Sequence, residues 1–146
     1  FRKSRDIRNE GLTLHGMGLV YELNMNPSKA MELYNDALKL FQKTAHKRDQ
    51  LPTLDRLARI YKGSEMDKAI KTYEQGLALA RELGDRRLEG QILWEISQAL
   101  DVSGNRPKAI QHAESALKLL AIALDPGADN IKKKIEEWKT SSASNG

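Results

Sequence analysis

Three blocks of one kind recur along the chain: Lys29-Ala30-Met31-Glu32-Leu33-Tyr34, Lys68-Ala69-Ile70-Lys71-Thr72-Tyr73 and Lys108-Ala109-Ile110-Gln111-His112-Ala113. Their alanines lie 39 and then 40 residues apart. Seven positions after each alanine stands a second small residue, Ala37, Gly76 or Ala116, followed at once by Leu38, Leu77 or Leu117. Small residues at i and i+7 share one helix face two turns apart. There they let a neighbouring helix come close, while Tyr34 and Tyr73 at i+4 fill the space between. A period of this length means stacked units, each one supersecondary element that cannot bury its own apolar side alone.

A second periodic segment precedes each block. Its anchors are Leu14, Met17, Gly18 and Tyr21, then Leu54, Leu57, Ala58 and Tyr61, then Leu93, Ile96, Ser97 and Leu100. Offsets of 3, 4 and 7 again describe an apolar helical stripe. Turn signals separate stripe from block: Asn24-Met25-Asn26-Pro27, Gly63-Ser64 and Gly104-Asn105-Arg106-Pro107. Each unit is therefore helix, tight turn, helix. The anchors are spaced by 40 and then 39, the reverse of the alanines, which places a one-residue deletion between Tyr61 and Ala69.

Composition agrees with helices. The chain of 146 residues is 40% apolar, 30% charged and only 5% aromatic, so its core is built from Leu, Ile and Ala. It has no Cys, which excludes disulfides and thiolate metal sites and fits a reducing compartment. No apolar run is long enough to span a membrane or to serve as a signal peptide, so a cytoplasmic location is expected. The 24 Lys plus Arg exceed the 20 Asp plus Glu by only four. Because the signs are interleaved, this excess describes solvated helix faces and argues against nucleic acid as a partner.

The anchor spacing over residues 6–125 resembles the tetratricopeptide repeat in a long, roughly 40-residue form. It is similar to the repeats of kinesin light chains and Pins-type adaptors. Leu79-Ala80-Arg81-Glu82-Leu83-Gly84-Asp85-Arg86 and Arg87-Leu88-Glu89-Gly90 are most similar to bacterial arrays that follow a signalling NTPase module. Leu replaces the family's signature Trp at the first anchor of all three units. The resemblance implies an all-α, right-handed solenoid of three hairpins, units of about 6–45, 46–84 and 85–124, with a capping helix over about 127–139. On that cap Ile131, Ile135 and Trp138 form a stripe at i, i+4 and i+7. Residues 140–146, small and polar, read as a disordered C-terminal tail. Projected backward, the register sets Asp6 against Asp85 and Glu10-Gly11 against Glu89-Gly90. Residues 1–5 then read as the tail of an earlier second helix, cut from a longer array.

No phosphate-binding glycine loop, dinucleotide fingerprint or His-Glu-x-x-His occurs. His15, His46 and His112 have no second ligand at i+3 or i+4, so no metal site is expected. Glu136, Glu137 and Asp129 lie on the polar side of the cap, where they balance Lys132, Lys133 and Lys134. The expectation is a non-enzymatic chain without cofactor.

The resemblance implies that the first helix of every unit lines a concave groove. The side opposite the packing stripe reads Leu12, His15, Leu19 and Glu22, then Pro52, Asp55, Arg59 and Lys62 with Arg56 beside them, then Gln91, Trp94, Gln98 and Asp101. Chaperone-tail-binding members of the family hold a terminal carboxylate with Lys and Asn at the places of His15 and Leu19. This chain has Asp55 with Arg59, and Trp94 with Gln98, at the corresponding places, so that clamp is missing. What is left is a groove with a basic centre at Arg56, Arg59 and Lys62 and apolar contacts at Leu12, Leu19 and Trp94. It fits a protein or peptide guest with acidic and apolar side chains, in a sensor or adaptor part of a larger signalling protein. Two structural readings stand beside it: Trp94 packing between helices, and Arg59 pairing with Asp55. A different role is self-association through an exposed N-terminal flank.

Overall fold

The computed structural model describes residues 2–144. Among these residues there are seven α-helices and no strand: α1 (Arg2–Leu23), α2 (Pro27–Gln42), α3 (Gln50–Lys62), α4 (Met66–Glu82), α5 (Arg86–Val102), α6 (Arg106–Ile122) and α7 (Ala128–Ser144), with a 3-10 turn at Lys47–Asp49. They pack as consecutive hairpins, α1 on α2 and α5 on α6, with α3 laid against α2 and α7 against α6. The chain forms two compact units that divide within α4, between Leu79 and Ala80. In the first, Ala30, Tyr34 and Leu57 are the buried centre, with Leu19, Leu38 and Tyr61 packed around them. In the second, Ala109, Ala113 and Leu120 meet Ile131, Ile135 and Trp138 of α7. The repeated alanines Ala30, Ala69 and Ala109 are all wholly buried.

Small residues set how closely the helices of a hairpin approach. A Cβ on Gly18 would sit 2.5 Å from Tyr34 Cε1, and one on Gly11 2.6 Å from Phe41 Cε1. In the second unit a Cβ on Gly90 would lie 2.9 Å from Leu120 Cγ. The partners are buried to within 2% of their surface, so there is no solvent side to which they can swing. Ser97 and Ala113 occupy in the second unit the places of Gly18 and Tyr34, and both are wholly buried. Both positions are small there, and the Ser97 Oγ donates to the Ala109 carbonyl at 2.8 Å.

The turns repeat one design. Met25, Gly84, Gly104 and Leu124 take positive φ of 60°, 69°, 90° and 54°. The next amide then closes on the carbonyl five residues back: Asn26 on Tyr21, Asp85 on Ala80, Asn105 on Leu100 and Asp125 on Leu120, at 2.8–3.0 Å. Asn26, Asp85 and Asn105 go on to cap the following helix through their side chains. The turn from α3 to α4 differs. Glu65 N–H reaches the Tyr61 carbonyl only four residues back, at 2.6 Å, and no residue there has positive φ. The missing left-handed residue is the deletion read between Tyr61 and Ala69.

Three local features go beyond what the repeat spacing gives. No turn precedes Asp6, and α1 runs unbroken from Arg2 to Leu23. In the repeat of about residues 46–84 the first helix starts only at Gln50. Begun at Lys47, it would need an N–H from Pro52 to the Arg48 carbonyl. A 3-10 turn and a start at Gln50 instead put Pro52 in the first turn, where no such bond is required. The cap extends beyond residue 139 to Ser144, since residues 140–144 contain neither Gly nor Pro, and Thr140 Oγ1 bonds back to the Glu136 carbonyl at 2.7 Å. Asn145 and Gly146, also assigned to the tail, lie outside the described residues.

The glycine geometry predicts opposite signs for two neighbouring substitutions. Gly16 has open space where a methyl group would stand, so Gly16→Ala stabilises by roughly 0.5–1 kcal/mol through helix propensity. Gly18→Ala forces Tyr34 outward and costs about 1–3 kcal/mol. Thermal or urea melts of the two variants check this, and equal shifts would contradict it.

Candidate peptide-binding face

Three polar ties join α1 to the start of α3 in the first unit. On α1 the residues are Arg8, His15 and Glu22, each two turns from the last, so they share one stripe. Arg8 pairs with Asp49. His15 Nδ1 lies 3.0 Å from Thr53 Oγ1, the two exchanging donor and acceptor roles with the ring tautomer. Glu22 Oε1 lies 3.5 Å from Arg56 Nη1, and its other oxygen accepts a 2.6 Å bond from the Tyr34 hydroxyl. The His15 ring packs tilted against Tyr34, with centroids 5.3 Å apart. Thr53, His15, Tyr34, Glu22 and Arg56 thus form one continuous network.

Several of the sequence-derived groove residues belong to this network or pack beside it. His15 and Glu22 are half-buried and committed to α3 or Tyr34, and Leu19 packs on the Ala30, Tyr34 and Leu57 cluster. Arg59 Nε is 2.8 Å from Asp55 Oδ2 one turn back, the structural pairing weighed for it. Lys62 is half-buried at the end of α3. Leu12, 43% exposed, and the partly exposed Arg56 remain open to a guest on the same side.

In the second unit the corresponding residues serve packing. Trp94 is half-buried against the α6–α7 core, its ring centroid 5.9 Å from that of Trp138. Trp94 thus packs between helices while part of its ring stays exposed. Asp101 pairs with Arg106 at 2.6 Å, and Arg106 lies over the Trp138 ring. Gln98 leans back on the Trp94 carbonyl, and Gln91 reaches Asp125. Asp125 accepts from the Gly127 N–H and from Arg87, which hold its carboxyl below the usual range.

Sequence reading missed two buried polar residues. Thr53 is wholly buried and falls between named anchors. Glu89, 6% exposed, sits between Arg81 at 2.9 Å and Arg86 at 3.0 Å. Burial alone would raise its pKa, but the two guanidiniums together outweigh that and lower it. Arg81 and Arg86, both shortly before Glu89 in the sequence, were the available signal.

Burial, and next the Arg56 charge, lower the His15 pKa, against a weaker opposing pull from Glu22. Above the ordinary histidine value of about 6.5 the ring is neutral in both folded and unfolded chains, and its contribution is fully present. Below it, the unfolded chain takes up the proton first, so stability falls as pH falls. Urea unfolding between about pH 7.5 and pH 5 should show this slope reduced in His15→Gln. An unchanged slope would contradict the placement of His15.

The comparisons with known proteins agree with this architecture. The tetratricopeptide repeat family model matches residues 9–82. The N-terminal domain of stress-induced protein-1 from C. elegans superposes with a TM-score of 0.76 at 16% identity, covering 91% of this chain and 97% of that chain. A putative kinesin light chain from Podosopora anserina, with nearly identical repeats of this type, gives a TM-score of 0.70 at 16% identity over 90% of this chain and 66% of that chain. At such identity the likeness is one of fold alone. No curated protein matches the sequence. Among the described residues no helix is long and apolar enough to cross a membrane. With hairpins, turns and family match in agreement over half its length, the chain belongs to the tetratricopeptide repeat family.

Proposed function

We propose that the first unit holds a peptide or partner segment against its α1–α3 face, and that the guest places an apolar side chain on Leu12 and a carboxylate beside Arg56. The family is generally a protein–protein interaction module, typically non-catalytic, and the finer reading rests on the exposure of Leu12 on α1 and of Arg56 on α3. The face is preorganised. With His15 fixed on Thr53 and Glu22 on Tyr34, a guest orders few side chains on binding, and less of its interaction energy is lost to entropy. Arg56 has a long contact to Glu22, and exchanging that partner for a guest carboxylate costs little because exposed pairs contribute roughly 0–1 kcal/mol. The likeness of the Leu79–Gly90 stretch to arrays behind bacterial signalling NTPases supports a sensor or adaptor role inside a signalling protein.

Self-association is the second reading. Met17 and Val20, 45% and 54% exposed, stand three residues apart on α1, whereas α7 shows lysines and glutamates to solvent. A copy covering Met17 would make particle size concentration-dependent in light scattering, and Met17→Lys would abolish that dependence.

For the peptide reading, fluorescence anisotropy with labelled peptides that set Leu or Phe beside Asp or Glu is the direct assay. Arg56→Glu weakens binding at least tenfold, about 1.4 kcal/mol, and Leu12→Ala severalfold, with helical circular dichroism unchanged. Affinity untouched by both substitutions would overturn the assignment.

A further inference from the structure

The first unit carries a second concavity, separate from the α1–α3 face. It has a volume of about 380 Å³ and lies where α2, α3 and α4 meet, and α1 contributes no residue to its lining. Leu38, Leu54 and Leu57 supply its apolar surface, with Tyr61 alongside. Leu54 and Leu57 are almost wholly buried, so they form the floor. Lys39 from α2, and Lys68 and Lys71 from α4, stand around it, and no carboxylate is among the lining residues. In a chain whose charges are otherwise interleaved, this is a local excess of one sign over a hydrophobic floor.

The three lysines differ in commitment. Lys68 is paired with Glu65 at 2.6 Å and lies 5.7 Å from the centre of the Tyr61 ring. Lys39 has only a long, 3.7 Å contact to Asp36. Lys71 makes no ion pair among the described residues and is exposed. At least one cation is therefore open for a ligand, and a second is weakly held. Gln42 and Gln75 also line the site, and their amides can both donate to and accept from a main chain.

We propose that this groove is a second docking site, for an acidic peptide segment that seats one apolar side chain over Leu54 and Leu57 and sets flanking carboxylates against Lys39 and Lys71. The chemistry favours a peptide over nucleic acid. The lining holds no arginine and only one aromatic ring, Tyr61, which Lys68 already covers. A base-stacking platform and bidentate phosphate contacts are thus both missing. Lysines are point charges on flexible stems, suited to carboxylates spaced along a chain. The site does not depend on the α1–α3 proposal. The two together would let one unit hold two segments.

The test uses a labelled peptide alternating Glu with Leu, titrated into the whole chain and followed by anisotropy and by amide chemical shifts, with a labelled single-stranded oligonucleotide as the rival probe. Shifts at Leu38 and Thr72 are expected, with binding that weakens as salt rises. The double variant Lys39→Gln with Lys71→Gln loses at least tenfold in affinity for the groove, and Lys39→Arg with Lys71→Arg restores it. Arg56→Glu, which tests the other face, leaves the Leu38 and Thr72 shifts in place. The proposal is overturned if the oligonucleotide moves those amides and the peptide does not, or if the peptide moves only α1 amides. It is equally overturned if the glutamine pair leaves affinity unchanged while the melting curve shows the fold intact.

Discussion

The whole structure depends on how near two helices of a hairpin can come, and that distance is set by matching a small residue on one helix to a large one on the other. Gly18 lies under Tyr34, Gly11 under Phe41 and Gly90 under Leu120. Dispersion contacts fall off steeply with a gap of even half an ångström, so such pairs fix the helix spacing as well as filling it. At the matching places of α5 and α6, Ser97 and Ala113 are both small and wholly buried, and a hydrogen bond from Ser97 to the Ala109 carbonyl is added.

Because packing holds the hairpins, the charges at their edges are free to serve other ends. Exposed pairs such as Arg59 with Asp55 contribute at most about 1 kcal/mol, while truncating a large core side chain typically costs about 3–5 kcal/mol. A side chain such as Arg56 can therefore change sign without endangering the fold, which is what lets a repeat scaffold acquire guests by a few surface substitutions. The half-buried network behind Arg56 is a different matter. Its members reach across from α1 to α3 and to Tyr34, so they fix the position of the binding face while taking little part in contacts a guest could make.

Much of the fold was legible in the sequence because a repeat states its own register. The buried alanines, the α7 stripe and the one-residue shortening at Glu65 all follow from spacing alone. Pairing across helices was less legible. Periodicity says which side of α1 meets a neighbour, yet not that His15 finds Thr53 or that Trp94 finds Trp138, since those partners lie outside the repeated anchors. One local exception escaped for a similarly specific reason: Pro52 moves the start of α3. The groove residues were identified by face, but spacing alone did not say which of them, such as His15 and Glu22, also tie to neighbouring helices.

The central claim, that paired volume sets the hairpin, is tested most directly by a double-mutant cycle that rewrites the first hairpin in the manner of the second. Unfolding free energies would be measured for Gly18→Ser, Tyr34→Ala and the two combined. The account predicts that serine is far less costly once Tyr34 is cut back, a coupling of about 1–3 kcal/mol between the sites. Strict additivity of the two costs would show that Gly18 and Tyr34 do not share one space, and would contradict it.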